Sequence, residues 1–309
     1  MRLNIIFMGT PIFGKIVLER LSKEHNIVAV VCPLDKPNKR GNKIEFCEVK
    51  KFALENGIKV LQFEKVNRAV EELKALNADM IVTASFGQII SKELLNLCPL
   101  GTLNVHGSIL PLLRGASPVP EAIRRGFKET GVTIIRMNEK MDEGDMLEKR
   151  TCLIGESETA SELMIKVAKI GGEALMQAID HIISGDVECV KQDNSKATYC
   201  GKIKKEEAKI DFSLDSEKVK CHINAFSKEP GAYFEYEGAV YKVLRAESVK
   251  GHSGIASEVL EASPKGGFIV ACGSGAVRFL ELQASGGKVL NAKDFLNGKK
   301  FAKGSYLNG

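Results

Sequence analysis

The stretch that decides the fold runs from Leu3 to Cys32 and reads LNIIFMGTPIFGKIVLERLSKEHNIVAVVC. It opens with an apolar run, Leu3 to Met8, which stops at Gly9. Apolar residues at helical spacing follow over Pro11 to Leu21, and a second apolar run covers Ile27 to Cys32. A strand, a helix and a second strand in this order form the beginning of a βαβ unit. We therefore predict two strands joined by a helix at the start of the chain.

The same alternation continues through the first half of the chain. Further apolar runs cover Met80 to Ala84 and Leu103 to Val105, and helix-like stretches lie at Glu45 to Asn56 and Val66 to Leu76. Nearly continuous apolar strands that alternate with helices are typical of a mainly parallel sheet covered on both faces. This predicts an α/β, Rossmann-like domain, in which ligands bind beyond the carboxyl ends of the strands.

The second half of the chain changes from helices to short strands. One long helix is predicted over Ser157 to Ile183, and the polar residues 185–206 are typical of a linker. Five short strands follow: Ala232 to Tyr236, Ala239 to Leu244, Gly254 to Leu260, Gly267 to Cys272 and Val277 to Leu282. Short strands at this spacing favour a small β-barrel. We therefore predict an N-terminal domain over 1–184 and a C-terminal domain over 207–309.

The composition describes an ordinary globular protein. The residues are 44% hydrophobic and 27% charged, which indicates no disorder class, and the length of 309 residues makes two domains the expectation. The longest apolar runs are far shorter than the ~20 residues of a membrane span, and the N-terminus lacks a signal-peptide layout, so we expect a cytoplasmic protein. The eight cysteines and five histidines are scattered along the chain, and we expect no metal.

The formal net charge of +5 is unevenly distributed. From residue 200 onward the chain has 17 Lys and Arg against 13 Asp and Glu, a surplus of +4, which leaves +1 for the rest. Lysines usually lie on a solvated surface without a partner. A basic region also suits an anionic partner such as a nucleic acid. Charge alone leaves both interpretations open.

A second informative stretch, Asn104 to Pro111, reads NVHGSILP and follows an apolar strand. Because residues i and i+2 of a strand share a face, the amide of Asn104 and the imidazole of His106 should lie side by side. Such a pair suits acyl transfer, in which the amide binds a developing oxyanion and the imidazole moves a proton. A carboxylate of the acidic turn Asp142 to Asp145 could orient the imidazole or accept a proton. The alternative is turn chemistry, because Asn, His and Asp beside Gly or Pro often bond their own backbone.

The pattern Asn-x-His-x-Ser-x-Leu-Pro, followed by Arg114-Gly115 and by Asp145, resembles the folate-dependent formyltransferases. Further matching motifs run along the chain: Gly9 to Phe13, Arg40-Gly41, Gly131 to Thr133, Asp142 to Leu147, Ala197 to Tyr199, Lys204 to Phe212 and Ala225 to Ala232. The C-terminal motifs match the branch that formylates methionyl initiator tRNA. The resemblance therefore implies the formyltransferase fold, Rossmann-like with a small C-terminal OB-like β-barrel, and an enzyme that acts in translation initiation.

The same resemblance implies the roles of individual residues. Asn104, His106 and Asp145 would be catalytic, and 10-formyltetrahydrofolate would supply the formyl group as a co-substrate. The folate would contact two segments that follow strand ends: Phe86, Gly87, Gln88 and Ile89, and Ser108, Ile109, Leu110 and Pro111. Methionyl initiator tRNA would be held by basic side chains: Lys36, Lys39, Arg40, Lys43, Lys202, Lys204 and Lys205. We expect a monomer.

Four other functions fit parts of the sequence. Gly9 to Lys15 has the spacing of a phosphate loop, but Ile16 stands where Ser or Thr would bind magnesium, so an NTPase is rejected. Asp35 lies where a ribose-binding acid would follow a dinucleotide loop, but the glycine pattern of that loop is missing. A sugar-nucleotide amine formyltransferase would share the Asn, His and Asp and differ in its acceptor. A non-catalytic RNA-binding protein would explain the basic C-terminal third, and these last two alternatives stay open.

Overall fold

The computed structural model describes residues 1–37 and 44–309. The strands are β1 Asn4–Gly9, β2 Asn26–Cys32, β3 Lys36–Pro37, β4 Ile44–Glu45, β5 Val60–Gln62, β6 Met80–Ala84, β7 Thr102–His106, β8 Arg114–Gly115, β9 Glu129–Arg136, β10 Asp145–Leu153, β11 Tyr199–Cys200, β12 Ala232–Tyr236, β13 Ala239–Val249, β14 Val259–Ser263, β15 Gly267–Ala271, β16 Ala276–Ala284 and β17 Val289–Asn291. The α-helices are α1 Ile12–Leu21, α2 Glu48–Glu55, α3 Val70–Lys74, α4 Lys92–Leu95, α5 Pro118–Arg124, α6 Ala160–Ser184, α7 Ser216–Ala225 and α8 Ala292–Gly298.

The chain divides into two units, each made of several segments. Unit 1 comprises Met1–Pro118, Thr130–Cys152 and Met164–Gly201. Unit 2 comprises Val119–Glu129, Leu153–Leu163 and Lys202–Gly309. The segment 185–206, which the sequence predicts as a linker, is divided between the units, because unit 1 extends to Gly201.

Unit 1 is built on a seven-stranded sheet with the order β10-β9-β7-β6-β1-β2-β5. The five strands from β7 to β5 run parallel to one another, and β9 runs antiparallel to β7. This confirms the predicted α/β class with a mainly parallel sheet. The four apolar runs predicted as strands in this part of the chain correspond to β1, β2, β6 and β7, within one residue at each end.

Four consecutive residues of β1, Ile5 to Met8, are fully buried. Since neighbouring side chains of a strand point to opposite faces, the sheet must be covered on both faces at β1. On one face Ile6 and Met8 belong to a cluster that includes Leu73 of α3 and Leu94 of α4. Burial of each such side chain contributes about 1.5–3 kcal/mol. The apolar run that begins the sequence therefore forms the centre of the sheet and of its core.

The long predicted helix begins later than Ser157. Helix α6 covers Ala160–Ser184, because Thr159 and Glu162 cap its first turn reciprocally. The Thr159 Oγ1 atom accepts from the Glu162 N–H at 3.4 Å, and the Glu162 carboxylate accepts from the Thr159 N–H at 3.0 Å. Such a capping box fixes a helix start. At the other end Gly185, with a φ of +76°, ends the helix as predicted.

Unit 2 contains an antiparallel barrel of short strands. The sheet order is β12-β13-β16-β15-β14, and β17 pairs with β16. The last residues of the chain lie between the two edge strands. Asn308 exchanges backbone hydrogen bonds of 2.7 and 2.8 Å with Glu235 of β12, and Val259 of β14 donates to the carbonyl of Ser305 at 2.8 Å. These bonds close the sheet, which confirms the predicted small C-terminal barrel.

Four of the five predicted barrel strands correspond to β12, β13, β15 and β16. The fifth, predicted over Gly254 to Leu260, is wrong in position, because β14 covers Val259–Ser263. Ser257 has a φ of +73°, a left-handed conformation that interrupts a strand. The sequence pattern was apolar enough for a strand there but did not reveal this backbone turn.

Three further properties concern cysteines, metals and membranes. None of the eight cysteines, all of which lie in the described ranges, forms a disulfide. Within residues 1–37 and 44–309, no group of three His, Cys, Asp or Glu side chains is placed to hold a metal ion. In the same ranges no helix is both long and apolar enough to span a bilayer.

Candidate active site

Two polar side chains lie at the carboxyl end of β7, the end at which parallel sheets place their ligands. Asn104 and His106 are separated by one residue within this strand, so they share one face, as their spacing predicts. His106 is 5% exposed and Asn104 is half-buried. An amide and an imidazole are therefore set side by side in a partly desolvated position.

The amide of Asn104 has a fixed orientation. Thr83 of β6 is in register with Asn104, and its hydroxyl donates to Asn104 Oδ1 at 2.8 Å. Because the amide oxygen is engaged there, Nδ2 faces the other way, toward Asp142 Oδ1 at 3.5 Å. Thr83 is only 3% exposed, so this hydroxyl is held in place by packing. It determines that an N–H donor, rather than an oxygen, faces Asp142.

The imidazole of His106 is held by a backbone carbonyl. Its Nε2 lies 2.9 Å from the carbonyl oxygen of Leu113, and since a carbonyl can only accept, Nε2 carries a proton. In the neutral ring Nδ1 is then unprotonated, and it faces Asp142 Oδ1 at 3.6 Å. Nδ1 is therefore the nitrogen that can accept a proton, and the Asp142 carboxylate can stabilise the imidazolium that results.

Asp142 is positioned by a loop. Its φ of +53° lies in the left-handed region, which Asp adopts more readily than most residues. Its Oδ2 accepts a hydrogen bond of 2.8 Å from the Gly115 N–H. Gly115 has a φ of +116°, and a Cβ atom there would lie 2.1 Å from the carbonyl oxygen of Cys200, so only glycine can present its amide at this place. One oxygen of the carboxylate is thus fixed, and the other faces Asn104 and His106.

The structure differs from the sequence prediction over which acid faces the histidine. The motif predicts Asp145, but Asp145 is the first residue of β10. Among the described residues no hydrogen bond or ion pair joins it to Asn104 or His106. Asp142, three residues earlier in the same acidic turn, lies close to both of them.

The reason for this difference is the path of the turn. A Cβ atom at Gly144 would lie 2.0 Å from the carbonyl oxygen of Arg136, so the turn packs directly on the end of β9. Arg136 is the β9 residue paired with Leu103 of β7, which precedes Asn104. The close approach therefore brings the start of the turn, and with it Asp142, next to the end of β7.

The segment after β7 that is predicted to contact folate has a fixed backbone. Ser108 and Leu110 are fully buried. The Ser108 hydroxyl donates to the carbonyl of Leu112 at 2.6 Å, and the Leu110 N–H donates to Thr133 Oγ1 at 3.0 Å. Lys149 donates to the carbonyl of Leu110 at 2.9 Å. Ile109 and Pro111, which complete the segment, are half-buried, so this stretch forms a rigid edge next to His106.

The segment after β6, Phe86 to Ile89, carries the other predicted folate contacts. Phe86 is buried, and the amide of Gln88 is used within the protein, where its oxygen accepts from the Val66 N–H at 2.9 Å. Ile89 leaves 79% of its surface exposed. Ile89 is therefore the residue of this segment whose side chain offers a large apolar surface to a ligand.

The basic residues predicted to hold tRNA fall into two groups. The first group consists of Lys36, Lys39, Arg40 and Lys43. The backbone of Lys36 pairs with Glu45 in the β3-β4 hairpin. Lys39, Arg40 and Lys43 lie outside the described residues. The other group consists of Lys202, Lys204 and Lys205, which are exposed on unit 2. These three lysines form no ion pair with any residue the structure describes. Exposed ammonium groups without a carboxylate partner are available to phosphates.

Three groups that hold this site were not predicted from the sequence. Thr83 is a hydroxyl within the otherwise apolar strand MIVTA, and a buried polar residue of that kind is the signal that could have drawn attention to it. The carbonyl of Leu113 and the amide of Gly115 leave no such signal, because every residue has both groups. Their roles depend on the course of the backbone.

Comparison with known proteins adds two family matches. The protein-family model described as "Formyl transferase" matches residues 1–179, and the model described as "Formyl transferase, C-terminal domain" matches residues 202–300. A methionyl-tRNA formyltransferase from Coxiella burnetii (strain RSA 331 / Henzerling II) is 38% identical over 314 residues, which covers 100% of both chains.

Solved structures share the fold at lower identity. A sugar 3N-formyl transferase solved in the presence of dTDP and 5-N-formyl-THF has a TM-score of 0.67 and 21% identity, and covers 92% of this chain and 98% of its own. A methionyl-tRNA formyltransferase from Clostridium thermocellum has a TM-score of 0.56 and 24% identity, with 81% of this chain and 95% of its own covered. At these identities the likeness shows the fold and does not distinguish between acceptors.

Proposed function

The chain belongs to the formyl transferase family, and we propose that it transfers the formyl group of 10-formyltetrahydrofolate to the α-amino group of methionyl initiator tRNA. The full-length relative at 38% identity is a methionyl-tRNA formyltransferase. The observation that carries the proposal is the convergence of Asn104 Nδ2, His106 Nδ1 and Asp142 Oδ1, with contacts of 3.5 and 3.6 Å. A cytoplasmic location suits this role, because bacterial translation takes place there.

Asn104 would stabilise the formyl oxygen as it becomes anionic. When the amine attacks the formyl carbon, the electron pair of the C=O double bond moves to the oxygen. The Nδ2 donor of Asn104 is already oriented by Thr83, so it needs no rearrangement at the moment of reaction. Loss of one donor of this kind typically reduces kcat by about 10²–10³.

His106 and Asp142 would handle the proton that the amine releases. An α-amino group has a pKa of about 7.7–8.0, so part of it is neutral and nucleophilic near neutral pH. As the new C–N bond forms, His106 Nδ1 would accept a proton from the nitrogen, and Asp142 would stabilise the imidazolium. The same proton would then pass to the folate nitrogen as its bond to the formyl carbon breaks. We assign to Asp142 the role that the sequence gives to Asp145, because Asp142 is the acid that faces Nδ1.

We place the folate along Phe86 to Ile89 and Ser108 to Pro111. The exposed side chain of Ile89 and the rigid backbone next to His106 support this placement. The substitution Ile89→Ser should raise KM for the folate and leave KM for tRNA unchanged. Leu54→Ser is a matched control, because Leu54 is 51% exposed and belongs to neither segment. Equal donor KM values for the two variants would contradict the placement.

We place phosphates of the tRNA against Lys202, Lys204 and Lys205, together with the basic residues around Arg40. Each phosphate contact steepens the dependence of log K on log salt by about 0.7–0.9. Replacing the three lysines of unit 2 by glutamine should therefore reduce that slope by about 2 to 3. Three exposed lysines of unit 1 provide a charge-matched control: Lys59, Lys65 and Lys74. The same loss of slope in both triple variants would contradict specific contacts.

The decisive experiment offers the purified protein three acceptors in parallel reactions with 10-formyltetrahydrofolate. The acceptors are charged initiator tRNA, charged elongator methionyl-tRNA and an amino-sugar nucleotide. The proposal expects formylation of the initiator tRNA and little of the other two. Formylation of the sugar alone would keep the chemistry and overturn the acceptor, an outcome that the fold shared with the sugar 3N-formyl transferase makes worth testing. No transfer to any acceptor by folded protein would overturn the proposal.

A further inference from the structure

The largest fully buried side chain among the described residues is that of Arg114, which is 0% exposed. Its Nε and Nη2 donate to Gln192 Oε1 at 3.0 and 2.8 Å, and Nη2 also donates to Asn194 Oδ1 at 2.7 Å. Its Nη1 lies 3.4 Å from Tyr199 Oη and 3.4 Å from Glu143 Oε1. A buried guanidinium is tolerated only where its N–H groups are satisfied. Most of its partners belong to residues 192–200, which we call the support segment.

Gln192 connects Arg114 to the turn that carries Asp142. While its Oε1 accepts from the guanidinium, its Nε2 donates to the backbone carbonyls of Asp142 at 2.7 Å and Gly144 at 2.8 Å. Both N–H groups and both acceptor positions of this amide are thereby used. The amide therefore fixes the two carbonyls that flank the centre of the turn, and with them the position of the carboxylate.

The support segment also holds the loop on the other side of the site. Thr198 Oγ1 accepts from the Leu113 N–H at 2.9 Å, and β11 pairs with β8. Leu113 and Gly115 are the residues whose carbonyl and amide hold His106 and Asp142. One short stretch of chain therefore determines the positions of both groups that would move the proton.

We propose that Gln192 is a positioning residue for the transfer reaction. It sets the distance between the Asp142 carboxylate and His106 by joining the buried guanidinium of Arg114 to the carbonyls of Asp142 and Gly144. This inference rests on the proposed function, since it gives Gln192 an effect on the rate that passes through Asp142.

The test is the substitution Gln192→Glu in the full-length protein. The new carboxylate still accepts from Arg114, and its charge complements the guanidinium, so the melting temperature should stay close to that of the wild type. It has no N–H to donate, and its oxygens repel the carbonyl oxygens of Asp142 and Gly144. We expect kcat to fall by up to about 100-fold, the loss typical of a displacement of about 1 Å. KM for both substrates should not change, because both functional groups of the Gln192 amide are bonded within the protein.

Asn194→Asp is the matched control. Asn194 accepts from the same guanidinium as Gln192, and the structure shows no hydrogen bond from it to the turn over 142–144. The substitution adds the same negative charge at the same arginine and removes no donor to the turn. We expect wild-type kcat. Equal losses in the two variants would refute positioning by Gln192, because charge at Arg114 would then account for both.

A double-mutant cycle separates the inference from the function on which it rests. If Gln192 acts through Asp142, then Gln192→Glu should cost little once Asp142→Asn has removed the carboxylate. The same fold loss of kcat in both backgrounds would refute the inference. An inactive Asp142→Asn variant beside a fully active Gln192→Glu variant would refute the inference alone. A fully active Asp142→Asn variant would refute the role of Asp142 itself.

Discussion

Replacing Thr83 by valine should slow formyl transfer without changing the shape of the strand. Valine has the size and branching of threonine but no hydroxyl. In the structure that hydroxyl lies 2.8 Å from Asn104 Oδ1 and 3.2 Å from the carbonyl of Leu103. Without it the amide of Asn104 loses the bond that fixes its orientation. The amide can then turn over and direct its oxygen, instead of Nδ2, at the developing oxyanion.

The size of this effect lies between two limits. A hydrogen bond contributes about 0.5–1.5 kcal/mol net, and about 1.4 kcal/mol corresponds to a factor of ten in rate. Loss of the orienting bond alone therefore predicts a fall in kcat of about 2- to 10-fold. Complete loss of the Asn104 donor would cost about 10²–10³. The lower range should apply, because the turned amide would bring its oxygen against Asp142 Oδ1, which is 3.5 Å from Nδ2 in the structure.

The assay is steady-state formylation of charged initiator tRNA, with kcat and KM measured separately. Thr83 is buried and would not touch either substrate, so the loss should appear in kcat and not in KM. The control is Thr83→Ser, which keeps the hydroxyl and should restore a rate close to that of the wild type. A Thr83→Val variant with wild-type kcat, or a Thr83→Ser variant that is equally slow, would refute the reasoning.

Other substitutions test the carboxylate, the basic loop and a buried histidine. Asp142→Asn should reduce kcat strongly and Asp145→Asn should not; the reverse ranking in the formylation assay would return the role to Asp145. Arg40→Ala should reduce the preference for initiator over elongator tRNA at an unchanged folate KM, and an unchanged preference would contradict its assignment. Burial lowers the pKa of His25 below its ordinary 6.5, so the unfolded chain binds more protons there and stability falls as the pH decreases below that value. His25→Asn should flatten this fall in melting temperature, whereas the same change at the exposed His252 should leave it as steep as in the wild type.

In the seven-stranded sheet, apolar runs in the sequence predicted β1, β2, β6 and β7, which are mostly buried, and missed β5 and β10, which have no buried position. Strand β6 is buried at every position, so its sequence is a continuous apolar run. Strand β10 has no buried position, since six of its residues are half-buried and three are exposed, and its sequence mixes charged and apolar residues without a clear period. The two-residue strands β8 and β11 pair across more than 80 positions in sequence. No local pattern can contain that information, because the pairing depends on the completed fold.

The site was predictable to the extent that it depends on spacing within one strand. Asn104 and His106 are two residues apart, and a strand places such residues on one face whatever surrounds it. The choice between Asp142 and Asp145 depends instead on how the turn meets β9 at Gly144. Asp142 and Asp145 lie on either side of Gly144 in the same four-residue stretch, so their residue type does not show which of them faces His106. Only the close approach of two backbones does.

The backbone groups that hold His106 and Asp142 also explain why the support segment matters. His106 is hydrogen-bonded to the carbonyl of Leu113, and Asp142 to the N–H of Gly115, so both partners lie in the loop over 113–115. The position of a backbone group depends on the contacts that hold its loop. For the loop over 113–115, these contacts come from residues 192–200. This segment lies between the two family matches, which end at residue 179 and resume at 202. Asn104, His106 and Asp142, to which we assign the chemistry, therefore lie inside the first match, while the segment that fixes the loop over 113–115 lies beyond its end. Similarity within residues 1–179 can identify the reaction, but an account of its rate has to include Gln192 and Thr198.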